Sequence, residues 1–231
     1  MDLRIARVEL GAARTALEPL ARFYGNGLGL RCTRDGERLS VAVGDAELAF
    51  RGRDGAPFHH FALLVPGDRF DAAVAWLAGH AALLARADGG TRFDFGFWDA
   101  RAVYAHDPAG NIVELIAHRG EADTGATGPF RPAELAGISE IGIVGPGLAE
   151  AAAALDRELG LALWSGGVAD DASGLGFVGR KAHTLILAGP GRGWLPTGRP
   201  AEIHPLAVTF AGGTEAGELA LPGGRVSRVP G

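Results

Sequence analysis

The sequence predicts an α+β fold built from tandem βαβββ units, forming two pseudo-repeated halves with the last unit truncated. Three observations predict it. Strand-length apolar and alternating runs recur in the order one strand, one helical stretch, three strands. That order begins again at Phe58 and again at Ile138. Short echoes mark the repeat: Leu28-Gly29-Leu30 after the first helix matches Leu159-Gly160-Leu161 after the third, and LPGGRVSRV (221–229) echoes DPAGNIVEL (107–115).

Element by element, LRIARVEL (3–10) alternates as a strand, with Leu3, Ile5, Arg7 and Glu9 on one face. Thr15 with Glu18 three residues on has the pattern of a capping box, opening a helix whose face carries Leu17, Leu20, Ala21 and Tyr24. Gly25 and Gly27 stop it. Strands follow at 30–33, 39–43 and 47–51, punctuated by Asp35-Gly36 and Gly44-Asp45. The second unit has a strand at 58–65, a helix over 68–79, strands near 83–86 and 93–98, and a hairpin around Asp107-Pro108-Ala109-Gly110-Asn111. Residues 119–135 are polar and rich in Gly and Pro, a linker between a first half at 1–118 and a second at 136–231. The second half repeats strand (138–144), Ala-rich helix (146–159) and strands near 161–164, 175–178 and 183–187. Between strand 204–210 and 221–229 no room remains for a full helix.

The 231 residues are 47% hydrophobic and 21% charged, enough to bury a core. A net charge of −5 without a Lys/Arg run argues against nucleic acid or an anionic membrane as partner, leaving small molecules. The lone Cys32 rules out an intrachain disulfide and reads as a small strand residue. With no signal-like start and no membrane-length apolar run, the chain reads as cytoplasmic, a monomer or homodimer.

The strand after the DPAGN turn poses the functional question. Counting by two puts Ile112, Glu114, Ile116 and His118 on one face and Val113, Leu115 and Ala117 on the other. Both faces are apolar, so the strand is covered on both sides. Glu114 then needs a cation, a hydrogen-bond donor or a proton.

At FYGNGLGL (23–30), HHFALLV (59–65) and DPAGNIVEL (107–115) the sequence resembles the vicinal oxygen chelate superfamily, the glyoxalase, bleomycin-resistance and extradiol-dioxygenase relatives. The resemblance implies curled sheets enclosing a small-molecule pocket, commonly with one divalent metal ion such as Zn, Fe, Mn or Ni. By position it makes His60 and Glu114 metal ligands, Glu114 also the catalytic carboxylate. Arg7 and Ala49 stand at two further ligand positions and bind no metal. In the second half Glu140, Ile186, Pro205 and Arg228 fill the matching places, with His204 off in parity. If each half closes its own pocket, Arg7 pairs with Glu114 and Glu140 with Arg228, and no cofactor is needed; charge compensation makes this the expected arrangement. If units exchange between halves, His60, Glu114 and Glu140 meet as a three-ligand set, and Arg7 and Arg228 become an anion site in the other pocket. Trp98 and Tyr104 are candidate pocket walls for a flat ligand, while Trp164 and Trp194 read mainly as core. The loop GPGRGWLPTGRP (189–200) reads as a cover. Two functions follow from the resemblance: a metal-dependent lyase or dioxygenase acting on two neighbouring oxygens, or a metal-free drug-sequestering or sensing protein.

Overall fold

A computed structural model describes residues 2–169 and 173–231. Unit one comprises β1 (Arg4–Ala13), α1 (Leu17–Ala21), β2 (Cys32–Asp35), β3 (Arg38–Val43) and β4 (Ala46–Arg53). Unit two comprises β5 (His60–Leu64), α2 (Phe70–Ala78), β6 (Phe93–Phe95), β7 (Ala100–His106) and β8 (Ile112–His118). Unit three comprises β9 (Gly137–Val144), α3 (Leu148–Leu159), β10 (Leu163–Gly167), β11 (Leu175–Arg180) and β12 (His183–Ala188). A two-stranded ribbon, β13 (Gly193–Trp194) with β14 (Arg199–Pro200), precedes the helix-free unit four: β15 (Leu206–Ala211), β16 (Gly217–Leu221) and β17 (Gly224–Val229). No helix among the described residues is long and apolar enough to cross a membrane.

Two local expectations need correction. Thr15 caps nothing: the chain enters α1 through a 3-10 turn at Arg14–Ala16, without a side-chain cap, and leaves it through a wider π-type turn at Arg22–Gly27. Residues 83–86 make one bridge, Leu83 to Ala105, rather than a strand, and the strand expected at 93–98 ends at Phe95 in a turn.

Within each unit the first strand pairs in parallel with the last, as β1 with β4 and β5 with β8. The first strands then pair antiparallel across units: β1 with β15, and β5 with β9. Units one and four therefore share one curled sheet and units two and three another, joined by the single pair Ile5–Ile138. The expected pairing within halves is overturned. Arg7 instead meets Glu9 at 2.9 Å and Glu47 at 3.7 Å, and Arg228 meets Glu215 at 3.1 Å.

Two bulges decide which side chains face inward. The register slips between Ile5 and Arg7 in β1, and at Ser139 in β9 opposite Ala62/Leu63. An extra residue flips the alternation, so Ile5 and Ile138 join the core while Arg7 and Glu140 face the concave side. The main core lies between the convex sheet face and the helices, uniting Leu17, Leu20, Phe70 and Leu155 with Val8, Phe61, Leu115 and Ile141. The DPAGN turn anchors this layer from within. Buried Asp107 accepts hydrogen bonds from the Ala109 and Asn111 amides, the Asn111 side chain and the Tyr24 hydroxyl, and Asn111 Oδ1 accepts from His59 N at 2.8 Å. Gly110, at φ 79°, supplies the left-handed corner. Residues 119–135 lie strapped to the domain: buried Arg69 donates to Glu134 at 2.6 Å and to the carbonyls of Ala126, Gly128 and Pro129.

Candidate functional site

The concave side of units two and three encloses a second apolar cluster, including Ala62, Ile116, Phe177 and Ile186. At one end it opens into a cavity of about 250 Å³. Three strands set its floor. Ala62 on β5 pairs with Glu114 on β8 at one side and with Glu140 on β9 at the other. Neighbouring strands lie ~4.8 Å apart, so the two glutamate backbones are about 10 Å apart with only a methyl group between them. Both carboxyls have room to lean over Ala62, and His60, two residues earlier on β5, shares their face.

All three groups are buried, at 6, 2 and 2% exposure for His60, Glu114 and Glu140. His60 Nε2 lies 3.1 Å from Glu114 Oε2, and Tyr104 stands opposite Glu114 on the neighbouring strand. Burial lifts the Glu114 pKa to about 8, with Tyr104 opposing. Burial and the Glu114 charge push Glu140 well above the carboxylate range. Burial draws His60 down to about 4, with Arg192 adding to the effect and Glu140 opposing it. At neutral pH without a bound cation, the floor is two carboxylic acids and a neutral imidazole. Their hydrogen bonding is incomplete: His60 Nδ1 and Glu140 Oε1 are buried without a partner.

The donor chemistry suits a divalent ion. Two ligands each ~2.1 Å from one ion at 90–110° sit roughly 3.0–3.4 Å apart, and His60 and Glu114 are 3.1 Å apart. Among the described residues, however, no three His, Cys, Asp or Glu side chains are arranged to hold an ion together. Two donors stand at ligand spacing. The third, Glu140, faces the same floor with a free oxygen.

The walls are aromatic. Trp98 and Tyr104 line the cavity, with Trp98 edge-on to Phe177 at 4.3 Å and 5.6 Å from Trp164. Arg7 and Arg228 do not reach it. Arg7 belongs to the sheet of units one and four, inside a network of Glu9, Glu47, Arg38 and Arg51. Arg228 is one residue out of step: Val226 and Phe210 take the core side, and Arg228 follows them to hydrogen-bond the carbonyls of Leu159, at the end of α3, and Gly212. The anion site expected from these two arginines does not form.

Loop 189–200, read from the sequence as a cover, lies over the cavity; the place of Trp194 within it was not foreseen. The loop sets the buried Trp194 ring 5.0 Å from His60. The backbone of Gly142 admits it, since a Cβ there would lie 2.6 Å from Trp194 Cη2. Arg199 fastens the loop, stacking 3.3 Å over Phe58 and donating to Gly110 O. Arg192, on the same loop, is the one Lys or Arg lining the cavity. The only sequence signal was a glycine inside a strand, which marks a close approach.

No family model matches the chain, and no curated protein matches it. Solved structures do. A presumptive dioxygenase from Bacillus subtilis aligns with a TM-score of 0.61 at 14% identity, over 97% of this chain and 84% of that one. A glyoxalase I mutant from Zea mays aligns with a TM-score of 0.54 at 15% identity, over 99% and 94%, and glyoxalase I from Zea mays at 0.51 and 15%, over 90% and 75%. At these identities the likeness establishes the fold alone, the one shared with these glyoxalase I and dioxygenase structures.

Proposed function

We propose that the cavity between units two and three is a small-molecule site whose floor, His60, Glu114 and Glu140, acts on a substrate with two neighbouring oxygens, in the manner of a lyase or dioxygenase. One observation carries this reading: unit exchange brings three buried titratable groups from three adjacent strands to one cavity, with two of their polar atoms unpartnered. Such a group costs stability and returns none unless something binds it. His60 and Glu114 would hold a divalent ion at their present spacing, with Glu140 joining by rotation of its side chain. When bound, that ion supplies a Lewis acid for paired oxygens. The chain's own groups do the rest. In the ion-free site burial pushes Glu114 up to about 8, so its carboxyl holds a proton beside the cavity at neutral pH. Trp98, Tyr104 and Trp194 orient a flat ligand and keep water out.

Metal analysis of the purified full chain, with His60→Ala and Glu140→Ala beside it, tests this. One ion per chain, lost in both variants, is the expected result. Retention in both refutes the ligand set. A second reading, a metal-free binding protein, is favoured by the aromatic walls, and among the described residues no three donors are arranged around one ion; it predicts a metal-free chain that still binds flat ligands with both variants.

A further inference from the structure

We infer that Arg192 is an anion subsite, so that the ligand is a small, flat, apolar molecule bearing a carboxylate or similar planar oxyanion. The inference rests on the reading of this cavity as the ligand site. Most exposed arginines here are spent on acidic neighbours, as Arg14 is on Glu37 and Arg86 on Asp88. Arg192 is not: its Nη1 donates to the adjacent Gly193 O at 2.8 Å, its Nε is buried without a partner, and no Asp or Glu among the described residues lies within ion-pair distance. Among the described residues, three of the four buried side-chain atoms without a partner belong to residues that line this one cavity, His60, Glu140 and Arg192.

Position favours recognition. The Arg192 backbone is pinned by Arg192 N to Gly189 O at 3.2 Å and by Ala201 N to Arg192 O at 2.7 Å, so the guanidinium projects from a braced ribbon. The Nε donor is unsatisfied but covered, so a turn of the side chain toward the cavity would present the Nε–Nη edge to a planar two-oxygen anion. The walls add Phe95, Trp98, Phe177 and Trp194. At about 250 Å³ the cavity falls below the usual range of ligand sites, roughly 300–1,000 Å³, which limits the ligand to about one ring with its substituents.

Isothermal titration of the full chain with 2-hydroxybenzoate and its neutral isostere 2-hydroxybenzamide tests the inference. The wild type is expected to prefer the carboxylate by about 10- to 100-fold, the worth of a charge-assisted hydrogen bond. R192Q should bring the two compounds within about threefold by weakening only the benzoate, and R192K should keep part of the preference. Equal binding of both by the wild type, or an unchanged preference in R192Q, overturns the anion subsite alone. Binding of neither overturns it together with the ligand-site reading.

Discussion

Gly142→Ala tests how the cover is seated. The new Cβ would lie 2.6 Å from Trp194 Cη2 and 2.9 Å from Cζ2, against ~3.5–4.0 Å for carbon atoms in contact, so the indole must retreat by about 1 Å. Swinging fully out would expose a ring worth about 4–6 kcal/mol at ~25 cal/mol per Å², so a cramped retreat at about 1–3 kcal/mol is the cheaper outcome. Replacing glycine with alanine returns about 0.4–1 kcal/mol through the unfolded chain. The net loss is about 1–2 kcal/mol, read as a lower urea midpoint at unchanged slope. Because Trp194 stacks on His60, near-UV dichroism and tryptophan fluorescence should change with it. Gly145→Ala is the control: its Cβ would approach Pro222 no closer than 3.4 Å, and stability should hold or rise. Wild-type stability and an unaltered tryptophan signal in Gly142→Ala would refute the account of the cover.

Asp107→Ala strips four hydrogen bonds from a buried turn and leaves the Tyr24 hydroxyl and the Asn111 amide unpartnered; urea unfolding should show a loss of about 3–5 kcal/mol, and a loss under 1 would contradict the anchoring role. Burial lowers His118 and His183 from 6.5 to about 4 each. The unfolded chain takes up these protons first, so their full stability holds above pH 6.5 and falls as pH drops toward 4, by about 3 kcal/mol per histidine. Denaturant titrations between pH 7 and 4.5 should show this fall, shallower in the His118→Asn/His183→Asn double variant; a flat wild-type profile would count against it.

Most of the fold was legible because alternation and turn chemistry are local. The β8 alternation put Glu114 on a covered face, and Pro108 with Gly110 fixed the turn before it. Unit exchange was not legible, because it depends on which first strands meet edge to edge. Charge suggested the wrong answer: Arg7 is opposite in sign to Glu114, but Glu9 lies two residues away on the same face, at 2.9 Å. A local partner costs less ordering than a distant one. Parity failed at the bulge before Arg7, where one residue is inserted, whereas Arg228 turns toward α3 on a strand with no register shift. The seat of Trp194 needs contacts between the loop after β12 and the strand β9, which no periodicity encodes.

The two concave sheets make different uses of charge, and the difference bears on which one functions. In the sheet of units one and four, the charges answer one another: although burial alone raises the Glu9 pKa, hydrogen bonds from Arg51, Arg38 and Arg7 hold it at about 2. That face is half-open, its pairs individually worth little, and it is complete without a ligand. In the sheet of units two and three, two carboxyls and an imidazole are buried beneath aromatic rings with no guanidinium against either carboxyl. Apolar residues of similar volume would stabilise the fold better there. A sequence that pairs its ionisable groups on one concave face and leaves them without counter-charges on the other supports the proposal that the second face binds a ligand. The same argument requires that Glu140→Leu, beside Ala62 on the neighbouring strand, stabilise the chain while abolishing whatever the cavity binds. A destabilised Glu140→Leu would mean the carboxyl is structural, and the functional reading of the floor would fall.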